Sequence, residues 1–145
     1  YGPPRKAGQR IGVVTRTGAI DPDLALFRSG AGFLITTATA PAHGLDAIRS
    51  DHDDVDLEAA LRSLDADVVH VEGGPTLNAA LLRDDLIDEV NLTIAPHLVG
   101  GLGARMVAAT QHEVLRRMRL AHVCTDDGYL FLRYERDAQP GSTTT

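Results

Sequence analysis

The chain has 145 residues, 43% hydrophobic and 23% charged, which predicts one globular domain large enough to bury a sizeable core. Against 20 acidic residues stand 14 basic ones, a net charge of −6, and this excludes the basic face that a general nucleic-acid or anionic-membrane binder needs. No apolar run approaches the ~18 residues of a membrane helix, the first residues lack a signal-peptide core, and a single cysteine, Cys124, excludes an internal disulfide framework and fits a reducing cytoplasm.

Residues 1–10 carry two prolines, two glycines and three basic side chains without a period, and read as a loop. Residues 11–18 form a β-branched run closed by glycine, and residues 33–39 form a second, bounded by Gly32 and Pro41. Both are continuous rather than alternating, as in strands buried on two faces. From Asp51 to Glu58 acidic residues crowd the start of a helix, where they complement its dipole. Leu57, Ala60, Leu61 and Leu64 then mark one apolar face. Residues 67–72 are predicted as a buried strand, with His70 a packed core residue. Gly73 and Gly74 break it and open a helix through about Leu86, with Leu77, Ala80 and Leu81 inward. Residues 90–95 read as a strand, residues 102–117 as an irregular loop with a short helix, and 118–125 with 129–135 as a hairpin turning at Asp126-Asp127-Gly128. Residues 137–145 read as a disordered tail, leaving one domain over 1–136. The helix–strand alternation predicts an α/β fold with a mostly parallel sheet and a C-terminal antiparallel hairpin.

The segment 67–80 is the most informative. A strand enters a Gly73-Gly74 turn and continues into a helix with Pro75 in its first turn, where the missing N–H costs nothing. The bare turn lets a ligand approach the backbone, and the N–H groups of Thr76, Leu77 and Asn78 suit an anion such as pyrophosphate. The same dipeptide is also what a tight strand-to-helix turn requires. It is neither a dinucleotide G-x-G-x-x-G fingerprint nor a P-loop.

Thr15 and Arg16 end the first strand, where parallel sheets bind ligands. A hydroxyl beside a forked guanidinium suits a phosphate monoester and would favour NADP over NAD, although an arginine solvated on a loop reads the same way. Thr36 and Thr37 end the second strand and are candidates for a ribose contact or ordinary strand residues. Glu72 stands beside the glycine turn. The six histidines form no H-x-x-x-H pair, and the acidic run at His52 reads as a loop rather than a metal cluster. No G-x-S-x-G serine is present and Cys124 falls in a hairpin strand, so no nucleophile emerges; Asp88-Glu89, at a helix-to-strand junction, reads as an acid/base pair or, better, as a hydrogen-bonded structural pair.

The run from Val71 to Asn78 holds E-G-G-P-T-L; Asp88-Glu89 follows, then A-P-x-L-x-G-G from Ala95 to Gly101. In this order the three resemble the pyrimidine reductases of riboflavin biosynthesis, the reductase half of the bifunctional deaminase-reductase, and the likeness extends more weakly over Ile11 to Arg136. The resemblance implies a dihydrofolate-reductase-like three-layer sandwich and NADPH as hydride donor. It implies that Thr15 and Arg16 bind the 2′-phosphate and that Gly74 through Ala80 line the pyrophosphate; with Thr36 from its place at the end of the second strand, the candidate cofactor residues are Thr15, Arg16, Thr36, Gly73, Gly74, Pro75, Thr76, Leu77 and Asn78. It further implies that Glu72 contacts a small-molecule substrate, that hydride reaches ribose C1 of a ribosylamino-pyrimidine, and that the chain is a homodimer. Family members begin with a strand, a helix and a strand before the Tyr1-Gly2-Pro3 region, so the chain is expected to represent the later part of such a reductase. Two other readings stay open: dihydrofolate reduction on the same fold, and a non-catalytic nucleotide-binding or dimerisation module.

Overall fold

The computed structural model describes residues 8–101, 103, 105–108 and 113–137. Two compact units divide the chain, the first ending at Val71 and the second starting at Glu72.

The first unit is built on a parallel three-stranded sheet of β1 (Ile11–Thr15), β2 (Gly32–Thr36) and β3 (Ala47–Arg49), in that spatial order, with α1 (Ala25–Arg28) between β1 and β2 and α2 (Leu57–Ser63) following β3. β2 is central and every residue of it is buried, as its continuous apolar run requires. Phe33 and Ile35 pack with Ala60 of α2, and Val14, Ile48, Val55 and Leu64 close around them. Gly12 and Gly32 make room for this packing. A Cβ on Gly32 would lie 2.6 Å from the Phe27 ring of α1, and one on Gly12 2.9 Å from the ring of Phe33.

The predicted helix after the acidic run is α2. Its N-cap is Asp56, whose carboxylate accepts the N–H of Ala59 at 2.9 Å, and Glu58 lies in its first turn. Leu57 and Ala60 are buried and Leu61 and Leu64 half-buried, so the apolar face follows the spacing.

Residues 67–72 differ from expectation. They form no strand, Val68 is 84% exposed, and His70 is exposed rather than packed in a core. The composition is that of a buried strand, but a strand also needs a partner ladder, and none of β1, β2 and β3 pairs with this segment.

The second unit holds α3 (Pro75–Arg83), β4 (Glu89–Ile94), β5 (Met118–Asp126) and β6 (Tyr129–Arg136), the strands forming an antiparallel sheet in the order β4-β6-β5. The molecule is thus α/β with a parallel sheet followed by an antiparallel one, and β4 belongs to the latter, paired with β6 from Glu89↔Glu135 to Ile94↔Leu130. The hairpin turns where predicted: Asp126 pairs with Tyr129, and Asp127 and Gly128 both take positive φ, 45° and 77°, the two-residue turn whose twist matches the strands. Residues 102, 104 and 109–112, where part of the short helix was expected, and the tail 138–145 lie outside the described residues; residues 103, 105–108 and 113–117 carry no helix.

α3 is shorter than predicted because its end is built into the turn. Leu86 donates to the Leu81 carbonyl at 2.9 Å and Asp85 to that of Leu82 at 3.3 Å, a Schellman closure with Asp85 at φ 58°. Ala79 and Leu81 are its buried residues, while Leu77 and Ala80 are half-buried.

Candidate functional site

Thr15, Arg16 and Thr36 meet at the C-terminal ends of β1 and β2, where Thr15 and Thr36 are register partners. The chain turns sharply after β1. The Thr15 hydroxyl accepts the N–H of Gly18 at 3.1 Å, Gly18 takes φ 65°, and His43 Nε2 lies 2.9 Å from the Gly18 carbonyl. A Cβ on Gly18 would sit 2.4 Å from the Pro41 carbonyl oxygen, so only glycine fits this turn.

Thr36 is fully buried and its hydroxyl donates to the Thr15 carbonyl at 2.6 Å; the Thr37 hydroxyl donates to the Arg16 carbonyl at 3.1 Å. Both hydroxyls serve the backbone. Their effect is to fix the path of Thr15 and Arg16 as they leave the sheet.

The Arg16 side chain is outside, 67% exposed, and it is engaged. Its Nε and Nη2 lie 3.1 and 3.0 Å from Oδ1 of Asp54, itself 64% exposed. Asp54 was legible only as one member of an acidic run, because its partner is 38 residues away. Arg49, likewise missed, points Nη1 at the carbonyls of Thr37, Ala38 and Ala40, at 3.0, 3.0 and 2.8 Å, and so holds the loop that follows β2.

In the second unit Gly73 to Asn78 form one continuous feature. Gly74 is the N-cap of α3, with extended backbone and no side chain to cap with, and Pro75 opens the helix. The first intrahelical bond runs from the Asn78 N–H to the Gly74 carbonyl at 3.1 Å, so the N–H groups of Thr76 and Leu77 precede the helix ladder. The two glycines serve different ends. A Cβ on Gly73 would lie 2.7 Å from Oδ1 of Asn78, whereas one on Gly74 would meet nothing within 4 Å. Asn78 in turn donates through Nδ2 to the Met106 carbonyl at 2.8 Å, and the Ala108 N–H bonds the Pro75 carbonyl at 3.0 Å, tying the following loop to this helix end. An open space before an uncapped helix N-terminus fits an anionic group such as a pyrophosphate. Glu72, exposed, immediately precedes the turn.

At the junction before and along β4, Asp88 and Glu89 serve the sheet. Asp88 accepts the Arg136 N–H through its carbonyl at 2.7 Å, and Glu89 pairs with Arg133 at 2.8 Å. The Asn91 amide and then Arg133 hold the Glu89 carboxyl below its ordinary value. Cys124 is exposed in β5. Among the described residues no group of three His, Cys, Asp or Glu side chains is gathered to hold a metal, and no helix is long and apolar enough to cross a membrane. A cavity of about 120 Å³ lined in part by Thr36, Ile48, Ser50 and Ser63 is far too small for a dinucleotide.

The RibD C-terminal domain family model matches residues 2–132. The chain belongs to that family. Among solved structures it is similar to a pyrimidine reductase-like protein of Corynebacterium diphtheriae, with a TM-score of 0.70, 19% identity, and coverage of 89% of this chain and 61% of that one. It is also similar to Acinetobacter baumannii RibD in two forms, with TM-scores of 0.69 and 0.70, 21% identity in each, and coverage of 86% and 88% of this chain. The chain spans 37% of that RibD chain. At these identities the likeness establishes a shared fold, that of RibD-like reductases. No curated protein sequence matches the chain.

Proposed function

We propose that this chain is the reductase part of a riboflavin-pathway enzyme, taking NADPH and delivering hydride to ribose C1 of a ribosylamino-pyrimidine. The observation that carries the reading is the bare Gly74 N-cap of α3, an anion-ready helix end with open space before it, within a chain of the RibD C-terminal domain family.

In this reading NADPH, when bound, supplies the hydride. Arg16 holds the 2′-phosphate through its forked donors, on a backbone that the Thr15, Thr36 and Thr37 hydroxyls fix. The N–H groups of Thr76 and Leu77 and the dipole of α3 take the pyrophosphate, the Asn78 N–H being spent on the Gly74 carbonyl, and Gly74 leaves the approach free of a side chain, with Gly73 before it and Pro75, which has no N–H to offer, opening the helix. Glu72 accepts a polar group of the substrate. Little acid–base chemistry is asked of the protein, whose work is to hold donor and acceptor in near-attack geometry.

The reading also includes a homodimer, supported by the apolar face that β5 and β6 carry, where Leu120, Val123 and Leu130 are exposed.

Calorimetric titration with NADPH and with NADH tests the cofactor assignment. NADPH is expected to bind more tightly, and Arg16→Ala to remove the difference between the two cofactors. Equal binding of both by the unaltered chain would overturn the 2′-phosphate assignment.

A further inference from the structure

The Arg16 guanidinium is already committed to a carboxylate, and the carboxylate is better anchored than the arginine. Oδ1 of Asp54 receives both Nε and Nη2 of Arg16, and also the N–H of Val55 at 2.9 Å. The Asp54 carbonyl accepts the hydroxyl of Ser50 at 2.6 Å. Ser50 is itself buried and donates its N–H to the Thr36 carbonyl at 3.0 Å. Asp54 is therefore fixed to the end of the sheet, while Arg16 reaches it from a solvent-exposed turn. If one of the two yields, it is Arg16.

Building on the proposed 2′-phosphate site, we infer that Asp54 sets how strongly this chain prefers a 2′-phosphorylated nucleotide, by competing with the phosphate for Arg16. The carboxylate occupies one forked edge of the guanidinium and offsets its charge, and its own charge repels a phosphate dianion brought to the same group. Asp51 and Asp53, on the same short loop, add to the negative field. Both partners are largely exposed, so the pair is weak. Asp54 lowers the affinity for the phosphate without abolishing it. It acts through Arg16 and is a positioning residue with a consequence for specificity. A hydroxyl in place of the 2′-phosphate carries no charge to repel, so unphosphorylated nucleotides escape the effect.

The test is titration of the intact chain with adenosine 2′,5′-bisphosphate and with 5′-AMP, for the unaltered protein and for Arg16→Ala, Asp54→Asn and Asp54→Ser. Asn and Ser both keep an oxygen that accepts the Val55 N–H, and circular dichroism checks that each variant is folded. Both Asp54 variants are expected to lower the Kd for the bisphosphate by about fivefold and to leave that for 5′-AMP unaltered. General damage to the loop would instead weaken both nucleotides together. A bisphosphate Kd that stays the same or rises in Asp54→Asn, while Arg16→Ala still removes the selectivity, sinks this inference and leaves the cofactor reading intact. Loss of no selectivity in Arg16→Ala, or none to lose in the unaltered chain, overturns both.

Discussion

Across the paired ends of β1 and β2, the buried hydroxyl of Thr36 donates to the main-chain carbonyl of Thr15 at 2.6 Å. This bond fixes the point from which Arg16 leaves the sheet. Thr36→Val keeps the shape, deletes the donor and leaves a carbonyl short of a partner, at a cost of about 1–2 kcal/mol. Urea denaturation should show a lower midpoint with the same slope. Thr36→Ser should recover most of the loss, because the hydroxyl and not the methyl makes the bond. A valine variant as stable as the parent would remove the anchoring role.

Gly74 permits a prediction in which stability and binding move in opposite directions. Its φ of −74° suits any residue and a Cβ there meets nothing, so Gly74→Asp fits without strain. Aspartate is a favoured N-cap, and stability should rise by a few tenths of a kcal/mol. The same carboxylate would take the N–H groups proposed for the pyrophosphate and repel it, so NADPH binding should weaken by about tenfold or more. A thermal melt beside a titration reads both. Undiminished NADPH binding in a stabilised variant would move the pyrophosphate elsewhere.

Gly73 answers to packing instead. Gly73→Ala would bring a methyl 2.7 Å from Oδ1 of Asn78, and that amide is already bonded to the Met106 carbonyl. The expected loss is about 1–2 kcal/mol, from displacing Asn78 and its link to the following loop. Chemical denaturation measures it. Gly73→Ala combined with Asn78→Ala, which removes the obstructing oxygen, should cost less than the sum of the two single changes.

Asp85 makes acid stability depend on one turn. Its carboxyl is held below its ordinary 3.8, first by the hydrogen bond from Arg116 and then by the charge of Arg136. A depressed carboxyl contributes stability above its unfolded pKa, and the contribution disappears as pH falls through the lower, folded value. The loss therefore belongs below about pH 4. Asp85→Asn, a residue that also tolerates the positive φ, should flatten that part of a stability–pH profile. An acid limb unchanged from the parent would show that these arginines do not stabilise the turn.

Val123 tests pairing. It is exposed on β5, an edge strand of its sheet. Val123→Glu should shift sedimentation from dimer to monomer if the face that Val123 shares with Leu120 and Leu130 joins two copies. A dimer that survives the change places the contact on another surface.

Signals confined to a few neighbouring residues are legible in the sequence alone. The apolar run of β2 announced its burial, the acidic run from Asp51 to Glu58 and the 57–64 periodicity announced α2, and Asp127-Gly128 announced the hairpin turn, since charge runs, periods and two-residue turns are local properties. The order of E-G-G-P-T-L and its companion motifs was enough to indicate the family. Residues 67–72 misled because a β-branched run states a preference, while a strand exists only where another strand supplies its ladder. The pairing of β4 with β6, the Arg116 and Arg136 contacts at Asp85, and the Asp54 partner of Arg16 join residues 31 to 51 positions apart. No window of sequence holds both ends of such a contact. The sequence determined the buried run of β2, the apolar face of α2 and the hairpin turn; the tertiary structure decided whether residues 67–72 had a strand to join and which charges meet, because both depend on where the folded backbone brings distant residues together.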